Sequence, residues 1–336
     1  MEENNKGLRF YRIICRSSAT LLFATFIFTW FHLAGAQQPA KVPRIGYVRA
    51  GPENVNDAAF LRGLRDLGYI EGKNILVEYR SIEGNRDRIP SLVAELVQLQ
   101  VDILVSPNTP TILAAKQATR TIAIVMVANT DPVASGLVDS LAHPGGNITG
   151  ITRLTRDLSG KRLEVLKEVF PGISRVGVLE DADARDKAFK DYDAAGRALK
   201  IQLQSLEVRG PNPDLEGAFQ AAVKTHVRAL IATQTTVLVP YPKKIADLAI
   251  KHRLPLMFES SRNVEAGGLL SYSSNDTENF RRAAYYVDRI LKGAKPAELP
   301  VEQPTKFEFV INLKTAKTLG LTIPPDVLAR ANKIIR

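Results

Sequence analysis

Apolar and polar positions change period in blocks along this chain. From residue 44, short, largely apolar runs over 44–48, 75–79, 102–105 and 122–127 predict strands. Between them apolar residues return at helical spacing. A helix over 57–67 carries Phe60, Leu61, Leu64 and Leu67 on one face, with Gly68 as a left-handed stop. Ile89, Leu92, Val93, Leu96 and Val97 mark a second helix. Thr109 suits an N-cap and Pro110 the first helical position of a third, over 111–118. A fourth is expected over 132–141, although Gly136 weakens it. Such short, largely apolar strands fit a parallel sheet covered on both faces.

The rhythm pauses at 127–133, which ends a strand in polar turn residues, and at 143–150, a turn cluster that leads into a new apolar run. It then repeats. Helices are predicted over 159–170, 184–199, 213–225 and 239–252. Strands are predicted over 175–179, 229–232, 255–258 and 268–272, with an alternating, edge-like strand over 201–208. A strong helix over 276–292 closes at Gly293, followed by a proline-containing connector over 296–304, a strand over 307–311 and a helix over 313–319. Alternating strands and helices on either side of a pause predict an α/β fold of two doubly wound lobes with a ligand cleft between them. The pause is read as the passage from one lobe to the other.

The first 36 residues stand apart. Lys6, Arg9, Arg12 and Arg16 precede an apolar run over 19–31, and Ala34-Gly35-Ala36 matches the small-residue pattern of a signal-peptidase site. Cleavage before Gln37 and export to the periplasm are expected. An uncleaved anchor needs about 20 apolar residues, more than this run supplies. Cys15 is the sole cysteine and lies before that run, so the mature chain has no disulfide, thiolate ligand or cysteine nucleophile. The net charge of +10 falls to +8 without the leader. The basic residues are dispersed and not interleaved with aromatics, which argues against nucleic-acid binding.

In doubly wound sheets ligands bind beyond the carboxyl ends of the strands. Residues that follow directly on predicted strands are therefore the candidates: Gly51, Ser106, Asn108, Thr109, Asn129, Asp131, Glu180, Asp181, Thr233, Gln234, Glu259 and Ser260. Any one of them also suits a turn or a cap. Thr109, at a helix start, is placed to meet a carboxylate through free N–H groups. Asp131 is placed to meet a cation, or equally to form an Asx turn before Pro132. Tyr47 and Tyr272 could pack on an aromatic ligand or serve as ordinary core. Nucleotide-binding glycine motifs, a nucleophile elbow and histidine pairs at metal-ligand spacing are all missing from the sequence, so no cofactor or metal is expected and catalysis is disfavoured.

Asn129-Thr130-Asp131-Pro132, Gly136-Leu137-Val138 and Pro144-Gly145-Gly146-Asn147-Ile148-Thr149-Gly150 resemble the ABC-transporter substrate-binding proteins related to tryptophan-binding members. So do residues 63–69 and the ending over 304–312. The resemblance spans about 42–330. It implies a type 1-like periplasmic binding fold whose chain crosses three times between lobes, near Ala128, near 272–275 and near 300–304. Lobe 1 would comprise 42–128 with 276–300, and lobe 2 150–272 with 304–336. It further implies capture of a small solute for a membrane permease; the chain is expected to be a monomer, and the strand-end residues favour a small carboxylate or amino-acid-like ligand. A secreted α/β enzyme pairing strand-end acids such as Glu180 and Glu259, and a ligand sensor for a signalling partner, are the alternatives.

Overall fold

The computed structural model describes residues 41–184 and 188–336. The expected leader lies outside the described residues, as does the opening of the helix expected at 184.

Two α/β sheets account for the fold. The first runs β1 (Arg44–Arg49), β2 (Leu76–Ser81), β3 (Ile103–Ser106), β4 (Ala123–Ala128) and β5 (Ile148–Thr152) in spatial order β2-β1-β3-β4-β5, parallel throughout. Helices α1 (Val55–Asp66), α2 (Ile89–Gln98) and α3 (Thr109–Ala118) connect these strands. Asn54 caps α1 in a capping box with Asp57. Ile45, Tyr47, Ile103, Val105, Val125 and Val127 point to one face of the sheet, and Val48, Leu104, Ile124 and Met126 to the other. Apolar cover on both faces is why these strands read as unbroken apolar runs.

The second sheet contains β6 (Arg175–Asp181), β7 (Gln202–Val208), β8 (Ala229–Ala232), β9 (Leu256–Phe258), β10 (Leu270–Ser274), β11 (Phe307–Asn312) and β12 (Lys333–Ile335). Its order is β12-β11-β10-β9-β8-β6-β7, with β11 antiparallel to β10. The alternating strand β7 stands at one edge, where a half-wet face suits its pattern. Helices α4 (Ser159–Val169), α5 (Ala188–Leu199), α6 (Leu215–Lys224) and α7 (Pro242–Lys251) flank this sheet.

The long helix α8 (Asp276–Leu291) returns to the first sheet and lies against α1. The two helices touch at Gly63, where a Cβ would stand 2.7 Å from the Arg281 carbonyl oxygen. Glu302 then bridges to Ile151 beside β5 before the chain enters β11. Helices α9 (Leu313–Leu319) and α10 (Pro325–Ala329) complete the described chain. Among the described residues no helix is long and apolar enough to cross a membrane.

Three expectations are corrected. No helix forms over 132–141: Gly136 is left-handed at φ 69°, and Leu137 N–H reaches five residues back to the Pro132 carbonyl, so the segment folds as turns. The chain leaves the first sheet after Thr152, not near Ala128, so the lobe boundary expected at 150 falls inside β5. Gly150 makes that extra strand possible. Its φ is 131°, and a Cβ there would lie 2.2 Å from the Met126 carbonyl oxygen. Finally, Asn108 rather than Thr109 is the N-cap of α3, its side chain accepting from Thr111 N–H at 3.0 Å. The short elements α10 and β12 were not anticipated by the periodicity.

Candidate functional site

A cavity of about 300 Å³ lies between the carboxyl ends of the two sheets. Its walls follow the strand ends closely. Arg49, Ala50 and Gly51 come from the end of β1, Asn108 and Thr109 follow β3, Asn129 and Thr130 follow β4, and Arg153 follows β5. From the second sheet come Asp181 at the end of β6, Gln234 to Thr236 after β8, and Arg262 after β9. Its volume is at the lower end for small-molecule sites.

Of the sequence candidates, Gly51, Asn108, Thr109, Asn129, Asp181 and Gln234 line this cavity. Asn129 joins both walls, accepting from the Thr109 hydroxyl at 2.7 Å and donating to the Gln234 carbonyl at 3.1 Å. Asp181 also joins them, through Arg86 at 2.6 Å.

The other candidates lie elsewhere. The Ser106 hydroxyl donates within its own turn, to the Asn108 carbonyl at 3.4 Å. Glu180 accepts from the Ser205 hydroxyl at 2.8 Å and from Phe189 N–H at 3.1 Å. Thr233 donates to the Leu179 carbonyl. Glu259 and Ser260 are buried behind the wall, and Tyr272 stacks on Phe307 with ring centres 6.3 Å apart. Asp131 is exposed and lines a separate depression with Ala134, Ser135 and Asp157. Its carboxylate accepts from Val133 N–H at 2.8 Å and Ala134 N–H at 3.2 Å, the Asx-turn alternative. Tyr47 is core, packed on Phe60 and donating to Asp57.

What the sequence reading missed is arginine. Arg49, Arg86, Arg153, Arg156 and Arg262 all line the cavity. Arg49 stands 3.6 Å from Asp57 and Arg153 3.4 Å from Asp276. Burial pushes the Asp57 carboxyl above its usual range, against hydrogen bonds from Tyr47 and Asn54 N–H and the charge of Arg49. Burial also pulls the Arg262 guanidinium down, with repulsion from Arg153 adding to it and the charge of Asp276 opposing it. Arg49 and Arg153 sit at strand ends, so the rule that chose the candidates would have reached them had charge been weighed and β5 assigned.

Several buried donors at this surface have no protein partner: Asn108 Nδ2, Arg49 Nε, Arg153 Nε and the Thr235 hydroxyl. The Asn108 amide is fixed in sense, because its oxygen accepts from both Thr111 N–H and the Thr111 hydroxyl. Such a surface can hold an anion by charge-assisted hydrogen bonds. Among the described residues no group of three or more metal-type ligands assembles.

Comparison with known proteins agrees with this architecture. A crystal structure described as a conserved domain protein from Vibrio cholerae O1 biovar El Tor is 29% identical with a TM-score of 0.80, covering 88% of this chain and 100% of that one. A Streptococcus pneumoniae structure described as an ABC domain in complex with L-Trp is 24% identical with a TM-score of 0.76, covering 87% and 99%. A tyrosine-binding protein of Clostridioides difficile (strain R20291) is 26% identical over 275 residues, 78% of this chain and 75% of its own. The profile of the family described as ABC transporter substrate binding protein matches residues 54–335, so the chain belongs to that family.

Proposed function

We propose that this protein is an exported receptor that captures a small carboxylate or amino-acid-like solute between its lobes and delivers it to an ABC permease. The observation that carries this is the cavity at facing strand ends, walled by both sheets and rich in hydrogen-bond donors. The carboxylate is held at the start of α3 by Asn108 and Thr109, with Gly51, Asn129, Asp181 and Gln234 shaping the walls. Hinge closure of the lobes around the solute presents the complex to the transporter. The named ligands of the Streptococcus and Clostridioides relatives support an amino-acid-sized solute. Export through the leader fits the same role.

Mass spectrometry of protein isolated from the periplasm, followed by calorimetry with the compound it carries, tests the reading. The expected result is one small acid or amino acid per chain, recovered unchanged and rebinding at about −8 kcal/mol, the micromolar range. The amino terminus of that protein should be Gln37, or within a residue or two of it. Chemical turnover of the carried compound would instead favour the enzyme alternative.

A further inference from the structure

The carboxylates that line the cavity, among the described residues, are Asp57 and Asp181. Neither offers itself to a ligand cation. The Asp181 side chain is 0% exposed, with Oδ1 accepting from Asp183 N–H at 3.0 Å and Oδ2 from Arg86 at 2.6 Å. The Asp57 side chain is 3% exposed, with Oδ1 accepting from the Tyr47 hydroxyl at 2.8 Å, and Oδ2 from Asn54 N–H at 2.9 Å with Arg49 3.6 Å away. By contrast Arg49 and Arg86 keep 21% and 24% of their side-chain surface. Asn108 and Arg153 also line the cavity, are each more than nine-tenths buried, and carry N–H groups without a protein partner. Asp131, the residue expected to meet an ammonium, lies outside it.

An α-amino acid brings one carboxylate and one ammonium. Among the described residues, this cavity supplies donors for the first, and for the second only acids already covered and bonded. A desolvated ammonium without a partner is strongly disfavoured. We infer that the cleft selects an organic acid that carries no ammonium group, and rejects the zwitterionic amino acid of the same skeleton. This rests on the receptor reading above and narrows its ligand class.

Matched pairs that differ by the ammonium alone test it: 3-phenylpropionate with phenylalanine, 3-(4-hydroxyphenyl)propionate with tyrosine, indole-3-propionate with tryptophan, and glutarate with glutamate. Calorimetry on the mature chain should find an acid that binds at least tenfold tighter than its amino-acid partner. Asn108→Asp keeps the helix cap but turns a donor into an acceptor. It should weaken that acid at least tenfold while the melting temperature stays close to wild type. An amino acid that binds as tightly as its ammonium-free partner, or an Asn108→Asp variant with undiminished affinity for the acid, overturns the inference and leaves the receptor reading standing. Binding of none of the eight, with a neutral sugar or a metal ion captured instead, removes the carboxylate reading and this inference with it.

Discussion

Two buried arginines, nine residues apart, have opposite surroundings. Arg162, on α4, is fully buried and built into the second lobe. Its Nε donates to the Tyr272 carbonyl at 2.8 Å, and its Nη1 to the Thr155 carbonyl at 2.5 Å and the Tyr192 hydroxyl at 3.3 Å. Glu259 lies 3.6 Å away and accepts from the Tyr192 hydroxyl and from Gln234 N–H. Arg153, just past β5, has Asp276 at 3.4 Å and an Nε without a protein partner, and it lines the cavity. Arg162 also leaves one nitrogen, Nη2, unpartnered, but it does not line the cavity. A buried charge is therefore a poor sign of a binding site by itself. The unsatisfied donor and the adjoining space together set Arg153 apart.

The contrast can be broken most forcefully at Arg162. Arg162→Met leaves the Glu259 carboxylate buried without its cation, and should destabilise the fold by about 3–5 kcal/mol in urea unfolding. A variant as stable as wild type would show that this cluster is not structural. Arg153→Lys keeps a positive charge near Asp276 but removes the Nε donor. Ligand affinity should fall by about 1.5–3 kcal/mol in calorimetry, with a much smaller change in stability. The reverse outcome, lost stability with intact binding, would place Arg153 in the same class as Arg162. The smallest effect is expected at Asp131. Asp131→Ala removes two turn hydrogen bonds and should lower stability by about 0.5–1.5 kcal/mol with ligand affinity unchanged. A clear loss of affinity would return Asp131 to the site.

The fold was legible wherever a segment had to satisfy one period and one environment. Fully covered strands such as β3 and β4 read as unbroken apolar runs, and the edge strand β7 read as an alternation. Failures came where a backbone detail decided the outcome. Residues 132–137 have apolar members at helical spacing, yet a left-handed Gly136 turns them aside. In the 148–152 strand, Gly150 looked like a turn residue, although its missing side chain is what lets β5 pair with β4. At the site, half of the twelve residues chosen by the strand-end rule line the cavity. The rule could not distinguish Glu180, turned toward Ser205 and the start of α5, from its neighbour Asp181, because adjacent strand residues point to opposite faces. Arg86 opens a three-residue 3-10 turn with no periodic signal, and only the facing position of Asp181 reveals its part.

The Arg86–Asp181 ion pair and the Asn129–Gln234 hydrogen bond both run from one lobe to the other through protein atoms alone. In the proposed closure, part of the free energy would therefore not depend on what is captured. Under the proposed hinge closure, such a receptor would sample its closed shape before any solute arrives, to an extent set by these two links, with every 1.4 kcal/mol shifting that population tenfold. Stronger links would raise apparent affinity by preparing the pocket in advance. They would also send more empty receptors to the permease, where each occupies a docking site without delivering cargo. On the proposed reading, the strength of these two contacts would set a balance between scavenging at low solute concentration and keeping the transporter free for loaded partners.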